Sequence, residues 1–277
     1  MNRFVIFNGK VVEKNEVNLS FLFWEEQIAI SQKCWFGYGG IPLFDENVNL
    51  LIQQIEILKF PCPEFLNDKN ELFRVVKRML NKNKFYRSGY IYFYIFRQEN
   101  KLNTLVLSKL HEKFDFPLTE RGILVNFSNI IKLSINEYYR YSFYNETFWK
   151  VVEARNKGTY FQNSLILNEN QSVCEAIYAN LYVITGKTFF TPSLMTGSYE
   201  DTLREIIIDI ARDIGFVISE TENLKKKDIF DADEVFIAGE TIGINWILGI
   251  ENKRFVHKYS EEIHQKLNSY LKGKANR

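Results

Sequence analysis

The sequence predicts a two-domain α+β/α-β protein, and three features of its 277 residues support this prediction. The first half has two segments with apolar residues at helical spacing, followed by two apolar segments typical of strands. The second half is rich in short apolar runs that turn-forming residues separate. A candidate linker, Phe114 to Thr119 with Pro117, lies between them. We therefore expect a small α+β domain over residues 1–118 and a larger β-rich α/β domain over residues 119–277.

The first domain is predicted to open with a β-hairpin, because the strand-like FVIF and Val11-Val12 flank an Asn8-Gly9 turn. Two helices follow, and prolines end the first of them. Two paired strands complete the domain. The predicted bounds are Glu46–Lys59 and 67–81 for the helices, and Tyr90–Phe96 and Thr104–Leu110 for the strands.

The second domain is organised around Leu165 to Arg204. There the strand-like LILN, SVCEAIYANLYVI and TFFTP alternate with the turns NENQ and TGK. The helix that follows, Thr202 to Gly215, has apolar residues at helical spacing and ends at a glycine. The remaining predicted elements are the strands Gly122–Phe127, Val235–Ile237 and Trp246–Ile250 and the helices Asn145–Asn156 and Ser260–Leu271.

Composition excludes several classes of function. The net charge of +1 gives no bulk attraction to nucleic acid or to an anionic membrane. No apolar run reaches the roughly 18 residues that a membrane-spanning helix needs. The three cysteines form no C-x-x-C pair, and the three histidines lack ligands at metal-binding spacing. We expect a cytoplasmic protein without a metal site or a histidine-dependent triad.

Three stretches, taken together, resemble the class IV aminotransferases. These are the order L-I-L-N, V-x-E, N-L-Y-V, T-P-x-L and T-L-R within Leu165–Arg204, the A-D-E-x-F segment within Phe230–Ile250, and the opening FVIFNGKVV. The family includes branched-chain and D-amino acid aminotransferases and aminodeoxychorismate lyase. The resemblance implies the fold-type IV, D-amino acid aminotransferase-like architecture, a pyridoxal phosphate (PLP) cofactor in a cleft between the domains, an amino acid substrate and a homodimer.

The resemblance also assigns cofactor-binding positions. Glu175 stands where the family carries the acid that pairs with the pyridine nitrogen, although a strand-edge Glu facing water is the alternative. The backbone at Thr202 and Leu203 stands where the family receives the phosphate, and Glu240 and Thr241 lie across from it. A helix N-terminus is a natural seat for such an anion.

The lysine that forms the Schiff base is missing from its expected position. Counting back from Glu175 by the family's spacing reaches Ser142 without a gap, or Arg140 with a two-residue insertion. Arginine cannot replace the lysine, because its guanidinium stays protonated. Lys132 and Lys150 flank this segment. If either of them took the place of the missing lysine, we expect the shift along the sequence to turn its side chain to another face of its element.

Other site positions have changed too. Asp201 replaces a glycine before the phosphate seat, where a carboxylate is unfavourable unless it points away. Asn47 to Leu51 replaces the family's H-x-x-R-L helix, so its phosphate arginine is absent. We therefore expect a degenerate homologue without ordinary PLP catalysis. The alternative is an active PLP-dependent aminotransferase or lyase acting on an amino acid or an aminodeoxychorismate-like substrate.

In place of the lysine the chain has a cluster of aromatic residues around Arg140. This cluster either packs in the core, fills the cofactor space, or binds a planar anionic ligand. An unrelated hydrolase that uses Ser142 or Cys174 has no supporting base nearby and is discounted. The aromatic members are Tyr138, Tyr139, Tyr141, Phe143 and Tyr144.

Overall fold

A computed structural model describes residues 3–17, 29–98, 101–111 and 113–275. The chain divides into two compact units, which are described separately. The first comprises Met1–Asp115 with Leu271–Arg277, and the second comprises Phe116–Tyr270.

The first unit contains a five-stranded antiparallel sheet with the order β2-β1-β5-β4-β3. The predicted opening hairpin is confirmed, since Asn8 and Gly9 have φ of 47° and 79° and such left-handed pairs favour two-residue hairpin turns. The predicted pairing of the two later strands is confirmed as well. The strands are β1 (Phe4–Phe7), β2 (Lys10–Glu13), β3 (Ala29–Phe36), β4 (Ser88–Gln98) and β5 (Lys101–His111).

The two helices of the first unit are α1 (Phe44–Ile57) and α2 (Lys69–Lys82), and both predicted helices are confirmed with small shifts of their ends. Helix α2 begins after Asp68, whose carboxylate accepts a hydrogen bond from Glu71 N at 2.9 Å. This cap satisfies one of the free amides of the first turn. The apolar face of α2, which includes Val76 and Met79, is buried.

The second unit contains a nine-stranded mixed sheet with the order β11-β10-β9-β12-β13-β6-β7-β8, with β14 paired to β13. Its strands are β6 (Ile123–Phe127), β7 (Asn163–Leu167), β8 (Val173–Ala176), β9 (Asn180–Thr185), β10 (Thr188–Pro192), β11 (Val217–Thr221), β12 (Glu234–Gly239), β13 (Gly243–Ile250) and β14 (Lys253–Arg254). Its helices are α3 (Ser142–Asn156), α4 (Arg204–Asp213), α5 (Lys226–Phe230) and α6 (Tyr259–Ala275), the last of which ends in the first unit.

The prediction of one continuous strand over SVCEAIYANLYVI is wrong. The structure divides it into β8 and β9, because the chain turns at Tyr178, whose φ is 60°. Ala176 and Ala179 exchange backbone hydrogen bonds across this turn. Alternation alone did not reveal the turn, since every residue of β8 and most of β9 are buried.

Helix α3 begins at Ser142, three residues before its predicted start. The side-chain amide of Asn145 donates to Tyr139 O at 2.6 Å and to Tyr141 O at 2.9 Å, which fixes the turn into the helix. Ser142 is consequently the first residue of α3. In the part of the chain that the structure describes, no helix is long and apolar enough to cross a membrane.

Candidate functional site

Glu175 lies in β8 among apolar residues and is completely buried. β8 is the last strand in the order of its sheet, yet the alternative of a strand-edge Glu facing water is wrong. An ionised carboxylate buried without partners would be very unfavourable. Its surroundings must therefore supply compensating donors.

The first of these donors is Lys132. Its ammonium group lies 2.8 Å from Glu175 Oε2, and neither side chain is exposed to solvent. Lys132 Nζ also donates to Tyr139 O at 3.0 Å and lies 5.3 Å from the centre of the Tyr139 ring. The ammonium is thus held between a carboxylate, a carbonyl and an aromatic face.

Two further groups donate to the same carboxylate. Trp149 Nε1 donates to Oε1 at 2.8 Å, and Tyr199 N donates to Oε2 at 2.7 Å. All three partners of Glu175 are donors, so the ionised carboxylate fits this arrangement. Burial raises the pKa of Glu175, while Lys132 and the hydrogen bonds from Trp149 and Tyr199 act in the opposite direction.

The expectation that Lys132 turns to another face is wrong. Lys132 follows β6, and its main chain forms a bridge with Asn168 next to β7, which directs its side chain to the acid on β8. Lys150 is largely exposed and lies 3.8 Å from Glu146 on the surface of α3. The structure therefore brings only one of the two flanking lysines to Glu175.

The two residues predicted in place of the Schiff-base lysine differ in their exposure to solvent. Ser142 is largely buried at the start of α3. Arg140 is partly exposed, and its guanidinium lies 3.4 Å from Glu200. Neither side chain supplies an amine that could form a Schiff base.

The second part of the site lies where α4 begins. The Asp201 carboxylate accepts hydrogen bonds from Leu203 N at 2.9 Å and from Glu240 N at 3.1 Å, and its side chain is almost completely buried. The Asp201 carboxylate therefore points toward these two backbone amides. Burial raises the pKa of Asp201 to about 6, and the two backbone amides partly offset that effect.

Two of the residues predicted to line the phosphate seat, Thr202 and Glu240, contact each other. The Thr202 hydroxyl donates to the Glu240 side chain, and Glu240 is almost completely buried after β12. Thr241 follows Glu240 and is half-buried. Tyr199 N contacts Glu175 two residues before Asp201, so one short segment connects both parts of the site.

Arg204 is buried too, although the sequence assigned it no role. Its guanidinium lies 2.8 Å from Glu220 and 2.7 Å from Glu205, and it donates to Pro192 O at 2.8 Å. The Arg204 guanidinium is therefore already bonded to groups of the chain itself. Because its charge is already paired, Arg204 does not take the place of the phosphate arginine that the family carries elsewhere.

The aromatic cluster around Arg140 consists of rings that pack on one another. Tyr138 and Tyr144 are stacked at 6.1 Å, and Tyr139 meets Tyr144 edge-on at 4.9 Å. Tyr141 and Phe143 are stacked at 6.2 Å. This arrangement agrees with the interpretation of the cluster as packing, while the pairing of Arg140 with Glu200 leaves the planar anionic ligand a prediction.

Taken together, the residues present do not fit PLP. Lys132 donates to the carboxylate oxygen that a protonated pyridine nitrogen would need, and Asp201 occupies amides that a phosphate would need. Among the described residues no group of three or more His, Cys, Asp or Glu is arranged to hold a metal ion.

Sequence reasoning found Glu175 but missed its partners Trp149 and Tyr199 and the contact with Lys132. These residues are far apart in sequence from Glu175, and only the folding of α3 and the segment before α4 brings them together. A lysine that directly follows Ile130 and Ile131 after a buried strand was a weak signal of burial.

Comparison with known proteins gives matches over most of the chain. A family model described as "Amino-transferase class IV" matches residues 39–248. The mitochondrial branched-chain amino acid aminotransferase 1 of Humulus lupulus is 30% identical over 135 residues, which are 47% of this chain and 34% of that protein. The aminodeoxychorismate lyase of Vibrio harveyi is 27% identical over 106 residues, 37% of this chain and 39% of that protein. The matches thus span between about a third and two fifths of these relatives.

Solved structures match over nearly the whole chain. The branched-chain amino acid aminotransferase of Thermobaculum terrenum in its PLP form has a TM-score of 0.85 at 15% identity, covering 99% of this chain and 95% of that one. The Escherichia coli branched-chain amino acid aminotransferase has a TM-score of 0.83 at 18% identity, covering 99% and 96%. At these identities the likeness shows the fold, and it confirms the predicted fold-type IV architecture.

Proposed function

Because the chain belongs to the class IV aminotransferase family, and because its one site lysine is ion-paired with the site acid, we propose that it is a degenerate member that does not perform ordinary PLP catalysis. The observation that carries this proposal is the buried contact of 2.8 Å between Lys132 Nζ and Glu175 Oε2. A PLP enzyme needs a lysine that forms the Schiff base and a side chain that pairs with the pyridine nitrogen.

The geometry of the cofactor explains why this contact matters. The pyridine nitrogen and the aldehyde carbon of PLP lie at opposite ends of one ring. An acid that pairs with the nitrogen is therefore separated from the Schiff-base amine by the ring itself. In this chain the acid and the amine contact each other directly, so a ring could lie between them only if the Lys132 side chain moved away from Glu175.

The other site positions support the same proposal. Ser142 stands at the position reached by the family's spacing, and a hydroxyl cannot form a Schiff base. Asp201 adds a negative charge beside the amides that would bind a phosphate dianion. A carboxylate and a phosphate beside the same amides would repel each other strongly where water is excluded.

Binding of an amino acid or of a planar anionic ligand, formation of a homodimer and location in the cytoplasm remain parts of the proposal. The family resemblance supports the first two. Arg140 with the surrounding aromatic rings is the place where an anion would bind, and the Arg140–Glu200 pair would have to open for it. Size-exclusion chromatography with light scattering tests the homodimer.

The experiment that tests the loss of catalysis measures Schiff-base formation directly. Purified protein is mixed with PLP, its absorption spectrum is recorded, borohydride is added, and any pyridoxyl-lysine is mapped by mass spectrometry. We expect no stoichiometric adduct on any lysine. The variants K132M and K150M serve as a matched pair, because only the first removes the lysine that reaches Glu175.

A stoichiometric adduct that K132M abolishes and K150M retains would overturn the proposal. It would favour the alternative of an active PLP-dependent aminotransferase or lyase that uses Lys132. Amino acids and aminodeoxychorismate would then be the first substrates to screen.

A further inference from the structure

Three hydrogen-bond donors lie close together at the start of α4. They are the backbone amides of Leu203 and Glu240 and the hydroxyl of Thr202, which come from two separate segments of the second unit. Helix α4 has ten residues, and its positive dipole end lies beside Leu203. Such a convergence of amides and a hydroxyl at a helix N-terminus is the arrangement that binds phosphate groups.

In this chain each of the three donors already has an acceptor. Asp201 Oδ1 takes both amides, Oδ2 lies 3.1 Å from the second, and the Glu240 carboxylate takes the Thr202 hydroxyl. Both acidic side chains are more than nine-tenths buried. Two carboxylates buried this deeply are uncommon unless specific hydrogen bonds compensate them.

We infer that the carboxylate of Asp201, assisted by that of Glu240, is an internal anion that occupies the predicted phosphate seat in place of an external ligand. This inference rests on the proposed function and extends it from the acid to the opposite end of the site. Lys132 supplies a cation to Glu175, and Asp201 supplies an anion to the amides. The chain's own side chains thus take both charged positions.

Two features of the backbone bring the amides to Asp201. Gly239 lets β12 pass close to the turn at Tyr178, because a Cβ on Gly239 would lie 2.5 Å from Tyr178 O. The next residue, Glu240, donates its backbone amide to the Asp201 carboxylate. Asp201 also caps the turn into α4, since its carbonyl accepts from Arg204 N at 3.0 Å.

The test removes the internal anion and asks whether an external one takes its place. Melting temperature is measured against inorganic phosphate, at constant ionic strength, for the wild-type chain, D201A, D201N and D209A. D201N keeps a side chain of the same size in the seat, and D209A removes a charge from the exposed face of the same helix. D201S replaces D201A if the latter does not fold, because its smaller hydroxyl also leaves room for a phosphate oxygen.

Among the single variants, we expect only D201A, or D201S in its place, to show a saturable rise in melting temperature with phosphate. Binding of phosphate to the folded state produces such a rise. The variant D201A/E240T, which also removes the second carboxylate, should bind phosphate more tightly. A folded D201A and D201A/E240T without any response would overturn the inference, as would an equal response from the wild-type chain or from D209A. These results are independent of the borohydride experiment, which tests the loss of catalysis on the wild-type chain alone.

Discussion

Lys132 Nζ and Glu175 Oε2 form an ion pair of 2.8 Å from which solvent is completely excluded. The pair joins the segment after β6 to β8. Trp149 Nε1 and Tyr199 N donate the remaining hydrogen bonds to the Glu175 carboxylate. In a functional PLP enzyme an acid at this position would pair with the cofactor. In this structure the carboxylate binds Lys132, and the contact is completely buried.

The variant K132M should destabilise the fold strongly. Removal of one partner of a buried ion pair leaves an uncompensated charge and costs about 3–5 kcal/mol. Urea denaturation followed by circular dichroism measures this loss in the free energy of unfolding. The control K150M removes a lysine that is 65% exposed and should change stability by no more than about 0.5 kcal/mol.

The double variant K132M/E175Q separates the pair from its individual members. Because the second substitution removes the uncompensated charge, the double variant should be more stable than the sum of the two single losses predicts. Strict additivity of the two losses would contradict the pairing that the structure shows.

Asp201 should make stability depend on pH in a defined direction. Its pKa in the folded state is about 6, above the ordinary value of 3.8, so folding favours the protonated form. The stabilising contribution is therefore complete below about pH 4 and is lost as pH rises through 6. A shift of about two units corresponds to about 3 kcal/mol.

The comparison with D201N isolates this effect, because an amide does not titrate. The free energy of unfolding of the wild-type chain, minus that of D201N, should fall by about 3 kcal/mol between pH 4 and pH 7 and stay constant above that range. A difference that rises with pH would mean that the amides of Leu203 and Glu240 outweigh the cost of burial.

The fold was predictable to a large extent from local patterns. The turn at Asn8-Gly9 and the helical spacing in α2 and α4 depend on neighbours in sequence, and all three were found. The break between β8 and β9 was missed, because buried strands on both sides hide the turn at Tyr178.

The site was less predictable, because its contacts join residues that are distant in sequence. Glu175 was located by resemblance, while Lys132 was expected to face elsewhere. A count of residues along the chain gives the face of a side chain only within one regular element, and Lys132 lies in a loop after β6. The direction of the Asp201 carboxylate likewise depends on how β12 packs beside α4.

The three cysteines should differ sharply in reactivity. Cys34 and Cys174 are completely buried and Cys62 is exposed. Burial, with the Glu175 charge as a smaller cause, raises the pKa of Cys174, which further suppresses its thiolate. Ellman's reagent should therefore modify one thiol in the native protein and three after denaturation. The C62S variant should lose the native reaction, and rapid modification of a second thiol would show that the core around Cys34 in β3 or around Cys174 in β8 opens easily.

Gly239 should tolerate no side chain, because it sits where β12 passes the turn at Tyr178. A Cβ there would lie 2.5 Å from Tyr178 O and 3.3 Å from Ala179 Cα, and backbone atoms cannot move aside cheaply. G239A should therefore lose about 1–3 kcal/mol of unfolding free energy, as other overpacked sites do. The matched control is G273A in α6, where a Cβ meets nothing within 4 Å and alanine should add up to about 1 kcal/mol. Urea denaturation of both variants measures the two effects, and an unchanged stability of G239A would show that β12 and the turn at Tyr178 lie further apart than the structure places them.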